Sequence, residues 1–189
     1  EKWMNSGDLP NFKKLYDKSS TFITSPDVED SKYLEPWIQW YSLHTGLPYA
    51  DHGVFNLTDG PRAGHDDIWQ LLKQNGKRVM NCGSMNARRF EGDGNMFIAD
   101  PWCADQRAWP DELNSFQNFV AQNVQEHSQT NGAGEKESPL KFLRFMVSHG
   151  LSLRTAQEMT KQILSEKTKD KRLSFKRVAQ LDQLQYDVF

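Results

Sequence analysis

The chain has 189 residues, 37% of them hydrophobic and 25% charged, with eleven Phe, six Trp and a net charge of −2. That length suits one domain or a large part of one, and the apolar content excludes global disorder. No apolar run is long enough to span a membrane, no signal segment is expected, and neither half is basic enough to point to nucleic acid.

In chain order, Leu9, Phe12 and Leu15 have helical spacing, with Lys13, Lys14 and Asp17 between them. STFITSP, residues 20–26, is β-branched and aromatic and reads as a strand. A polar loop leads to a helix that opens at Pro36 and stops at Gly46. Asp66 or His65 is expected to cap the next helix, which runs through Gln74 to a stop at Gly76. KRVMNCG and NMFIADP then read as strands. The order helix, strand, helix, helix, strand, strand predicts an α/β layered domain with helices on a largely parallel sheet.

A further helix starts at or near Pro110, with acids in its first turn. The polar, Gly-containing SQTNGAGEKESP is the best linker in the chain. Beyond it the pattern is all-helical, with Leu140, Leu143, Val147, Leu153, Met159, Ile163, Val178 and Leu181 as the expected buried face. Lys167, Lys169, Lys171 and Arg172 should stay in solvent. Charge shifts at the same place, from −6 over residues 1–134 to +4 over 135–189. The reading is a partial α/β core over 1–134 and a helical segment over 135–189, inserted in the same domain. Cys82 and Cys103 form neither a disulfide framework nor a metal-type CxxC, which favours a reduced, cytoplasmic setting.

Chemistry concentrates at the Pro36 helix. Pro is favoured at a first helical position because its missing N–H has no partner there anyway. That places Glu35 at the cap, facing the N–H groups of Trp37 and Ile38 and the positive end of the helix dipole. A glutamate there stays ionised and makes a sound metal ligand; its simpler role is to cap the helix. The Trp37, Trp40 and Tyr41 stripe reads as core, and His52 as a loop histidine bonded to backbone.

Several stretches in order resemble the alkaline phosphatase superfamily of phosphodiesterases, sulfatases and their relatives. LPNFKKLYDKSSTFIT is similar to that family's first helix and strand. EPWIQWYSLHTGLPYADHGV is similar to its nucleophile helix with the Thr-Gly…His-Gly tail. DDIWQLLKQNGKRVMNCGS and NMFIADP are similar to the units that follow. The resemblance covers about residues 8–101 and implies a three-layer αβα domain, two divalent ions such as zinc or manganese in the complete protein, and a small anionic phosphate or sulfate ester as substrate. It also implies a Thr or Ser nucleophile where this chain has Glu35 and Pro36. Either Glu35 serves as a metal ligand in its place or the chemistry is lost.

In the family, the loop after the second core strand borders the active site. Here that loop brings Asn81, Ser84, Asn86, Arg88 and Arg89, donors suited to an anion. No later Asp-His ligand motif matches. The chain is therefore expected to be a fragment that holds few or no metal ions and is inactive alone. The alternative is a catalytically inactive relative working as a binding or scaffold module.

Overall fold

The computed structural model describes residues 1–26, 28–103, 106–128, 137–168 and 176–189. The chain divides into two compact units, Glu1–Leu34 and Glu35–Phe189.

The first unit holds α1 (Lys2–Asn5), α2 (Pro10–Lys18) and a 3₁₀ turn at Ser31–Tyr33. Pro10 opens α2, and the Leu9 N–H bonds back to the Trp3 carbonyl at 3.1 Å. No residue of either helix is buried. The strand expected over residues 20–26 is not formed: the described residues there are irregular, with Phe22 81% and Ile23 fully exposed. β-branched and aromatic side chains favour a strand only through packing on neighbouring strands, and no strand among the described residues pairs with this segment.

The second unit carries α3 (Pro36–Thr45), α4 (Tyr49–His52), α5 (Ile68–Gln74), β1 (Met80–Cys82), β2 (Met96–Ile98), α6 (Asn114–Ser128), α7 (Pro139–Ser148), α8 (Leu153–Thr168) and α9 (Arg177–Val188). It is mixed α/β and mostly helical. β1 and β2 are parallel, in the register Met80↔Met96, Asn81↔Phe97, Cys82↔Ile98. On the other side of β2, Phe97 exchanges both backbone hydrogen bonds with Trp109, each 2.8 Å.

The period-2 alternation of β2 divides the core. Phe97 packs with Val79, Ala87, Phe90, Ala99 and Cys103, backed by Trp69 of α5. Ile98 packs on the opposite side with Leu113 and Phe116, with Phe142, Phe145 and Met146 of α7, and with Leu184 of α9. Residues on both sides of the linker thus share one core cluster. At the outer edge of β1, the Gln185 amide donates to Cys82 Sγ at 2.8 Å, and Met80, Tyr186 and Phe189 line the same groove. No described helix is long and apolar enough to cross a membrane.

The three helices expected beyond the linker are present, but their buried face is largely not the expected one. Leu140, Leu143, Val147, Leu153, Ile163 and Val178 are exposed; Met159 and Leu181 are half-buried. α7 is apolar on both faces, so spacing cannot select the inner one. The face with the larger aromatic area goes in, where Phe119 and Phe142 stack at 3.7 Å. Lys167 is exposed as expected; Lys169, Lys171 and Arg172 lie outside the described residues.

Candidate functional site

α3 begins where the sequence places it. Glu35 is the extended N-cap (φ −66°, ψ 135°), Pro36 is the first helical residue, and Gly46 closes the helix in the left-handed region at φ 70°. The Glu35 carbonyl accepts the N–H groups of Ile38 and Gln39, while its exposed carboxylate makes no cap bond. Ile38, Tyr41 and His44 form the buried face.

Against this face lies the loop after β1. Its base is tied to the end of β2, because the Ile98 carbonyl accepts both the Gly83 N–H (3.0 Å) and the Asn81 amide (3.2 Å). Asn81 Oδ1 in turn takes the Ser84 N–H at 3.3 Å. Ser84–Ala87 then forms a turn closed by the Ala87 N–H on the Ser84 carbonyl, with Asn86 third in the turn at φ 59°. Asn is one of the few residues besides Gly that accept a positive φ there.

Asn86 is 1% exposed, and its amide is committed to backbone. Oδ1 accepts the Gly60 N–H at 3.1 Å, and Nδ2 donates to the carbonyls of Trp37 (3.1 Å) and Asn56 (3.4 Å). Gly60 has to be glycine, since a Cβ would stand 2.6 Å from the Asn86 carbonyl oxygen. Asn86 thus pins the first turn of α3 to the β1 loop.

At the other end of α3, Ser84 Oγ lies 3.0 Å from His44 Nε2. His44 is 6% exposed, packed edge-on against Trp69 at 4.6 Å, and its Nδ1 is buried without a partner among the described residues. Burial lowers its pKa to about 4, so the ring is neutral at pH 7.

A second histidine–serine pair joins α3 to α4. His52 Nδ1 accepts the Val54 N–H at 2.9 Å, so Nε2 carries the proton and donates to Ser42 Oγ, also 2.9 Å. Ser42 therefore receives a hydrogen bond from its histidine and is not deprotonated by it.

The remaining predicted donors are engaged in pairs. Arg88 bonds Asp66 at 3.0 Å; Gln74 and Arg88 together hold that carboxyl below its usual pKa. Arg89 bonds Glu91 and the Arg107 carbonyl. The helix cap belongs to Asp67, one residue beyond Asp66 and two beyond His65. Its carboxylate accepts the N–H groups of Trp69 (3.0 Å) and Gln70 (3.1 Å), although burial still raises its pKa. The Cys82 thiol is pushed up to about 11 by burial, which excludes a ready thiolate.

The structure thus gathers Asn81, Ser84 and Asn86 in β1 and the loop after it, of which Ser84 and Asn86 bond α3, and pairs Arg88 with Asp66 ahead of α5. Glu35 stands apart at the exposed cap. Among the described residues no three His, Cys, Asp or Glu side chains converge on a point where a metal could be held. The residues present therefore do not make the divalent-metal site that the resemblance implies.

Two buried polar residues, one in the site and one at the end of β2, were not singled out from sequence. His44 carried one signal, its place three residues after Tyr41 on the inner face of α3. Asp100 ends the apolar run of β2, where ligands of open α/β sheets gather. It is 3% exposed, accepts the Trp102 N–H at 2.9 Å through Oδ1, and buries Oδ2 without a partner among the described residues; burial raises its pKa.

Comparison with protein-family models finds no match to this chain, and comparisons with curated proteins and with solved structures find none either.

Proposed function

We propose that the chain is part of an alkaline-phosphatase-like hydrolase of phosphate or sulfate esters, with the helical segment 135–189 inserted in the same domain. The observation that carries this reading is the junction of α3 with the β1 loop. Two segments that resemble the nucleophile helix and the substrate-bordering loop of one active site lie against each other, joined by Asn86 on Trp37 and by Ser84 on His44. In that role the Ser84 hydroxyl, beside the last turn of α3, orients an anion. The test is turnover of an aryl phosphate and an aryl sulfate, with zinc or manganese, by the product of the whole parent open reading frame. Metal-dependent hydrolysis that falls on Glu35→Ala supports the reading; no hydrolysis of either ester sinks it.

One observation favours the second reading, an inactive relative that binds anions. The helix start offers a carboxylate and no hydroxyl, and Asn86 is spent on structure. Under that reading the complete protein binds phosphate or sulfate without turnover.

A further inference from the structure

We propose that His44 is a positioning residue that fixes the Ser84 hydroxyl as an outward donor to a tetrahedral oxyanion, phosphate or sulfate. The inference rests on the reading of the β1 loop as an anion site and names the group that makes the contact.

A neutral imidazole has one N–H and one lone pair. In His44, Nε2 meets Ser84 Oγ and Nδ1 has no hydrogen-bond partner among the described residues. With the proton on Nδ1, a buried N–H would be orphaned beside Trp69, and Ser84 would spend its hydrogen on Nε2. Its lone pairs would then face the loop and repel an anion. With the proton on Nε2, only a lone pair is orphaned, and Ser84 accepts from the ring while its own hydrogen stays free.

Orphaned buried donors are rarer than under-satisfied acceptors, so the second tautomer is assigned. His52 is an internal comparison, because its backbone partner imposes the same tautomer and the same donation to a serine. Ser84 Oγ has no other partner among the described residues, and its own N–H is held by Asn81. The donor is thus set in place before an anion arrives, which lowers the cost of binding one.

Long-range ¹⁵N–¹H correlation spectra of the His44 ring, recorded on the whole chain, read the tautomer directly. The Nε2–H pattern is expected at pH 7 and should persist to about pH 5, given the depressed pKa. An Nδ1–H pattern or a doubly protonated ring at pH 7 overturns the inference, whatever the chain binds.

Titration with inorganic phosphate and with inorganic sulfate, followed at the Ser84 amide, tests the ligand and separates the two ester classes. His44→Phe keeps a ring against Trp69 but removes the donor, and should weaken binding about tenfold, as should Ser84→Ala; His44→Gln, which can still donate, should stay within about threefold of the original chain. Equal affinity in His44→Phe and the original chain overturns the positioning role. No saturable response to either ion removes the oxyanion, and with it the anion reading, while the ring spectrum decides the tautomer separately.

Discussion

Between α3 and the β1 loop, buried polar side chains have small and definite sets of partners. Asn86 meets three backbone groups and His44 meets one hydroxyl. In α7 the reverse holds: Phe142, Phe145 and Met146 go inside and Leu140, Leu143 and Val147 stay outside, with apolar chemistry on both faces. Hydrogen bonds are directional and leave one arrangement; apolar burial is not, and leaves the choice of face to bulk and context.

Substitutions can break or sharpen this contrast, and the largest effect should come from the inner face of α7. Phe145→Ala should cost about 3–5 kcal/mol in urea unfolding, while Leu143→Ser on the outer face should stay within about 0.5 kcal/mol. Equal costs at the two positions would mean that the outer face is covered. In the polar region, Asn86→Ala strips partners from Gly60, Trp37 and Asn56 and puts Ala at a positive φ. It should cost about 3 kcal/mol by the same measurement. Asp67→Ala, which removes the α5 cap, should cost about 1 kcal/mol.

Two titrations give smaller effects of opposite sign. The folded pKa of His44 lies below its ordinary value, so folding favours the neutral ring, and its contribution is lost as pH falls from about 6.5 towards about 4. His44→Phe should flatten the stability profile across that window. Asp100 has a raised pKa, so ionising it costs folding free energy as pH rises above its usual range. Asp100→Asn should therefore raise the melting temperature slightly at pH 7. A fall would show that the unpaired oxygen has a stabilising partner.

Much of the frame was legible in the sequence because punctuation residues act locally. Pro36 and Gly46 bound α3 where expected, Pro139 opens α7, and Asn75 with Gly76 ends α5. The strands KRVMNCG and NMFIADP are present but shortened to three residues each. STFITSP failed because a strand needs a neighbour that no local pattern supplies. The site was half legible: Asn81, Ser84 and Asn86 were singled out as donors, yet the amides of Asn81 and Asn86 hold backbone groups of segments distant in sequence. Partners 17 and 26 residues away leave no trace in local spacing. His44 and Asp100 were missed for the same reason, since an unpartnered atom is visible only once the surrounding packing is known.

The central claim, that α3 and the β1 loop form one anion-handling site, is tested most directly by mapping inorganic phosphate onto the backbone amides of the whole chain by NMR. Saturable shifts are expected at Gly83 to Ala87 and at His44, lost together in Ser84→Ala. Shifts confined to the exposed Lys161 and Lys167 of α8, or none that saturate, would contradict it.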